Sequence, residues 1–152
     1  MAESLISRVL DNRPIPVEND AVDVATLLSI FYKLPVFIAD RRDLRGNVGL
    51  VVGRETRTFE VLQGHDPIRT QGRLFMTDDV GYFASCIVPG KRAACTERSN
   101  QLLLSALFPA NVGDSIVRDF LRRGGNWLQS LCGGDIVHES MVGQSEGEIA
   151  EG

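Results

Sequence analysis

The chain of 152 residues reads as an α+β protein: a mostly antiparallel sheet of about five strands, with N-terminal and C-terminal helices packed on it. Three observations predict this. Residues 20–40, DAVDVATLLSIFYKLPVFIAD, are the most apolar stretch and pass from helical to strand-like patterning at a proline. Residues 48–88 hold short β-prone runs with turn signals roughly every eight to twelve residues, as in an antiparallel meander. Beyond Lys91 and Arg92 the apolar residues return to helical spacing.

Taken in order, residues 3–10 form a short helix with Leu5, Ile6, Val9 and Leu10 on one side, and NRPIP breaks it. Asp20 serves as the N-cap of the next helix, and Asp23 adds a carboxylate where the helix dipole favours one. Val24, Leu27, Leu28 and Phe31 share a face, and Lys33 places a cation near the end. Pro35 pushes Leu34 out of helical geometry. Val36, Phe37 and Ile38 then form a strand. The run from Leu34 to Ile38 is continuously apolar, as in a strand covered on both faces. One cover is its own helix; the other is residues 97–131 or a second subunit.

Residues 40–47, DRRDLRGN, are a polar turn. Strands follow at 48–52 and 58–63, separated by GRETR, then a loop at 64–72. A hairpin over 73–77 and 82–88 turns at Asp78-Asp79-Val80-Gly81 and ends at Pro89-Gly90. A helix over 97–108 stops at Pro109. Another starts at Asn111 or Asp114, carries Ile116, Val117, Phe120 and Leu121 on one face, and ends at Gly124-Gly125. Trp127, Leu128 and Leu131 form a last apolar turn. Residues 1–139 are expected to be one domain that buries about 70% of its unfolded surface. Residues 140–152, acidic and Gly-rich, read as a disordered tail.

Charge is unevenly spread. Residues 1–40 carry three basic against six acidic side chains, residues 41–123 thirteen against nine, and residues 124–152 none against five. Fourteen of the sixteen basic residues are Arg, the better residue for bidentate contacts to carboxylate or phosphate. No apolar run approaches the roughly eighteen residues of a membrane helix. The start, MAESLISRVLDNR, lacks the basic segment of a secretory signal peptide. Three cysteines are odd in number, which argues for a reducing, cytoplasmic setting.

Chemistry-bearing residues are sparse. Cys86 sits in an apolar strand. Cys95 follows Lys91 and Arg92 and precedes a helix, two features that favour thiolate, so a Cys95-based nucleophile is one reading. Cys132 has no such neighbours. His65-Asp66 and His138-Glu139 lack the spacing of zinc ligands, so neither metal nor cofactor is expected. Asp78-Asp79 is turn chemistry. No phosphate loop and no GxSxG elbow is present. Arg41, Arg42 and Arg45 cluster at one turn, and Arg54 and Arg57 at the next. They supply a second reading, an RNA-binding accessory protein making weak nucleic-acid contact, although no aromatic lies between Arg41 and Arg57 to stack a base.

The favoured expectation is a non-enzymatic protein-interaction factor acting as a homodimer. It would be a small acidic adaptor, chaperone-like or assembly cofactor, or an accessory protein of a viral or secretion assembly. Its partner-binding residues are Arg41, Arg42, Arg45, Phe120, Trp127 and Leu131; Trp in particular is enriched where interfaces are tightest.

Overall fold

A ribbon of two strands runs through the middle of the molecule with an apolar layer on each side. The computed structural model describes residues 2–62, 64–86 and 88–143. The expected tail falls largely on residues 144–152, outside the described residues, as do Gln63 and Ile87 at the ends of expected strands. Helices α1 (Ala2–Leu10) and α2 (Asp20–Tyr32) lead into β1 (Val36–Asp40) and a single 3-10 turn at Arg41–Asp43. Six further strands follow: β2 (Gly49–Val52), β3 (Thr58–Phe59), β4 (Ile68–Arg69), β5 (Leu74–Thr77), β6 (Tyr82–Ser85) and β7 (Leu102–Ala106). Helix α3 (Asp114–Cys132) closes the described chain. The α+β class is as expected. The single sheet is not: the described strands form three small antiparallel sheets, ordered β1-β7, β2-β5-β6 and β3-β4.

Asn19, rather than Asp20, caps α2. Its side chain accepts the Val22 N–H at 3.1 Å, while the Glu18 N–H reaches forward to Asp23 at 3.0 Å. The two bonds satisfy free amides reciprocally at the helix start. Lys33 ends the helix in left-handed geometry at φ 57°, donating its N–H to Ser29 O. The buried side consists of Ala21, Val24, Ala25, Leu28 and Ser29. Leu27 and Phe31, expected on that face, turn outward.

Strand β1 is buried on both faces, but its covers differ from expectation. Its partner β7 occupies the run read as a helix. LLLSALF is apolar at nearly every position, and a short run of that kind fits a buried strand as well as a helix. Pairing decides it: Val36 faces Ala106 and Asp40 faces Leu102, so β1 supplies the backbone partners. A polar turn precedes β7, with the Thr96 N–H donating to Ser99 Oγ at 3.0 Å. Along the ribbon, Val36, Ile38, Leu102, Leu104 and Ala106 face α2 and α3, packing on Val24, Leu28, Phe120 and Leu128. Phe37, Ala39, Leu103 and Leu107 face the opposite layer, against Leu44, Met76, Phe83 and Ala93. Both helices therefore lie on one side, and the second cover comes from the β5–β6 layer.

The strand block is more broken than a meander. Gly53, Gly64, Pro67 and Gly72 interrupt it, so the β3-β4 hairpin stands apart and β2 pairs with β5 instead of its neighbour. A strand thus appears inside the segment read as a loop.

Helix α3 runs through Gly124-Gly125 without stopping. A Cβ at Gly124 would stand 3.1 Å from Leu104 and 3.4 Å from Leu28. The glycine lets the α3 backbone press onto β7 and α2 at once, so it is a packing residue rather than a terminator. Gly125 has room: a Cβ there meets nothing closer than 3.5 Å. The two positions should respond oppositely. Gly125→Ala gains about 0.5–1 kcal/mol of stability from helix propensity. Gly124→Val loses about 1–3 kcal/mol from overpacking. Urea unfolding of both variants checks this, and equal effects would mean that the close approach is absent.

Candidate protein-interaction surface

The arginines expected to meet a partner are largely spent on the fold. Arg42 forms a bidentate pair with Asp40, Nε at 3.1 Å and Nη2 at 2.8 Å, and also reaches Arg98 O. Ser99 Oγ completes the site by donating to Asp40 at 2.6 Å. Arg41 donates to Leu44 O, and Arg45 to Leu44 O and Arg42 O. Arg57 pairs with Glu55 at 3.1 Å. The 41–45 and 54–57 turns lie at the two ends of β2, so the arginines form no single groove.

Asp78 does more than shape its turn. It accepts from the backbone of Arg45, Val80 and Gly81 and from both terminal nitrogens of Arg92, at 2.7–3.1 Å. The Arg92 pair, aided by the backbone donors, holds this carboxyl far below the usual range despite its burial. With its lone pairs engaged, Asp78 has nothing left for a metal or a substrate proton. Arg92, read as a neighbour that would activate Cys95, is committed here.

Cys95 is buried, and a turn and strand β7 follow it where a helix was expected. Burial pushes its thiol up to about 12, and Asp40 adds to the shift. The environment is thus the reverse of one that makes a nucleophile. Burial raises Cys86 and Cys132 as well. His65 lines a shallow groove with Phe59, Glu60, Leu62, Pro67 and Lys91, and His138 is exposed. Among the described residues no three His, Cys, Asp or Glu side chains gather as a metal site.

The apolar residues are more telling. Phe120 is 3% exposed and belongs to the core, so it is closed to a partner. Trp127 is half-buried and Leu131 is 54% exposed. They join a ridge where α3 lies against α2. Phe31 stands 53% exposed at its centre. The Arg123 guanidinium sits 4.4 Å from the Phe31 ring centre, while Trp127 and Tyr32 meet that ring edge-on at 6.1 Å and 4.9 Å. Arg123 is itself positioned by Tyr32, donating Nε to its hydroxyl at 3.1 Å, and Tyr32 donates to Asp119 at 2.5 Å. That bond and Arg122 lower the Asp119 carboxyl, and burial foremost raises the Tyr32 phenol. Leu27, one turn before Phe31, is exposed too.

A second apolar surface lies along β2. Leu50 and Val52 are 46% and 53% exposed, and Val48, Val51 and Leu74 are also open. β2 is the edge of its sheet, with β5 on one side.

Leu27, Phe31 and the β2 residues escaped the sequence reading. One signal was present: α2 is apolar around most of its circumference, more than a single buried face requires. Another was NVGLVVG, which carries no charge or proline to protect an edge.

No family model matches the chain, and no curated protein is significantly similar to it. Among the described residues, no helix is long and apolar enough to cross a membrane.

A thiol that ionises only near pH 12 labels slowly. In native protein at pH 8, iodoacetamide should modify Cys95 at least about tenfold more slowly than a model thiol with pKa near 8.5. The rate should rise to the model value on unfolding. Peptide mapping over time measures this, and fast labelling of native Cys95 would restore the nucleophile reading.

Proposed function

We propose that this chain is a non-enzymatic protein-interaction factor, a small adaptor, chaperone-like or assembly cofactor, working as a homodimer inside a reducing compartment. The observation that carries the reading is the ridge at the α2–α3 junction. Phe31 is an exposed aromatic already held by Arg123, Trp127 and Tyr32. A ring fixed in this way loses little further freedom on docking, so binding is not taxed by ordering it. Aromatic and Arg side chains in one patch are also the composition of interface hot spots. Leu27 and Leu131 extend the apolar area along the two helices. The cation of the ridge is Arg123, which lies over the Phe31 and Trp127 rings; Arg118 and Arg122 line a separate groove with Ile136 and Glu139.

The test uses tagged full-length protein, chemical crosslinking in the source cells and quantitative recovery. A specific partner should be recovered with the wild type. Its affinity, then measured with purified components, should fall about tenfold or more for Phe31→Ala and for Leu131→Asp. Leu131 is exposed, so Leu131→Asp should leave the melting temperature little changed, whereas Phe31→Ala also loses ring contacts with Tyr32, Trp127 and Arg123 and should melt slightly lower while remaining folded. A partner retained at full affinity by both variants would contradict the ridge. Failure to recover any partner that the wild type holds and the variants lose would contradict the function.

A further inference from the structure

We infer that the open edge of β2 is where a second copy of this chain adds, antiparallel, across a two-fold axis through Leu50. The inference rests on the homodimer reading above and specifies its interface.

Hydrogen-bond parity fixes which groups are presented. Gly53 donates its N–H to Arg73 O at 2.8 Å. In the same register Val51 faces Phe75 and Gly49 faces Thr77. In an antiparallel ladder the residues whose main chain points at a given neighbour alternate. Gly49, Val51 and Gly53 therefore point their main chain at β5. Leu50 and Val52 point theirs away, along the edge that no described strand occupies. An axis through Leu50 pairs this residue with its own copy and Val48 with the partner's Val52. All of these residues carry outward-pointing groups, and about six backbone hydrogen bonds form.

The side chains fit the same axis. Val48, Leu50 and Val52 share a face with Leu74, because residues directly opposite across the ladder lie on one side and Val52 faces Leu74. Doubling the sheet turns this exposed row into a continuous apolar strip of two copies. Charge does not oppose this axis: the pairs formed within the strand are apolar on both sides, Leu50 on its copy and Val48 on the partner's Val52, so no like charges are set opposite each other. Between Asn47 and Gly53 there is no charge, proline or bulge of the kind that normally blunts an exposed edge. A self-complementary pattern about one residue favours a second copy over an unrelated extended peptide.

Sedimentation of the full chain over a wide concentration range, together with cysteine crosslinking, tests this. Wild type should dimerise. Val52→Pro removes an N–H that β5 does not use and should weaken the dimer about thirtyfold, since two bonds are lost by symmetry. In a Cys132→Ser background, Leu50→Cys should form a symmetric disulfide under mild oxidation, because a hydrogen-bonded pair places its Cα atoms about 5.5 Å apart. Val51→Cys should not. A dimer that resists Val52→Pro and does not crosslink through Leu50→Cys would overturn the edge pairing while leaving the homodimer standing. A wild type that remains monomeric would overturn both.

Discussion

The rest of the molecule depends on the burial of β1 on both faces. A strand with apolar side chains pointing both ways has to be covered twice, and a chain this short has few elements to do it. One cover is the α2–α3 pair, which packs Leu28, Phe120 and Leu128 against Val36 and Ile38. The other is the β5–β6 layer, which brings Met76 and Phe83 against Phe37 and Ala39. Because β1 and β7 separate the two cores, each core is small. The loops between them are tied down by buried carboxylates, Asp40 with Arg42 and Ser99, and Asp78 with Arg92. Such pairs contribute little net energy compared with apolar packing, but removing one partner strands a buried charge. They set where the segments 41–47, 78–81 and 92–99 lie relative to one another.

The same constraint explains what is left exposed. The helix α2 has to cover β1 and meet α3, and its apolar circumference exceeds what these contacts hide. Phe31 and Leu27 are the surplus, and α3 contributes Leu131 beside them. On the other side, a three-stranded sheet that covers β1 with β5 and β6 leaves β2 at the margin. There it packs on β5 alone and keeps Leu50 and Val52 open. Exposed apolar area in these two places therefore follows from the architecture, and it is what makes a binding role the best reading of the chain.

Much of this was legible from residues. The helix-to-strand unit at 20–40, the β5–β6 hairpin and the α+β class follow from periodicity and turn chemistry. The two-sided burial of β1 follows from its continuous apolar run. What failed did so for specific reasons. LLLSALF is apolar in both periods, so only its pairing with β1 distinguishes strand from helix. Gly124 looks like a stop in sequence and is a close-packing position in space. Arg41, Arg42, Arg45 and Arg92 look like free surface charge, yet their partners lie mostly in turn geometry and in carboxylates that only the fold brings near. Of the expected contact residues, Trp127 and Leu131 reach the ridge and Phe120 lies beneath it.

Hydrogen exchange at individual β2 amides reports whether the exposed apolar edge is paired in the assembled protein. Val51 donates into the β2–β5 ladder and should be protected at every protein concentration. Leu50 and Val52 point along the open edge, so they should exchange freely when the chain is dilute and become protected as it is concentrated. Fast exchange of both amides at concentrations where the protein is dimeric would rule out pairing through β2, since the edge would then remain open in the assembled state.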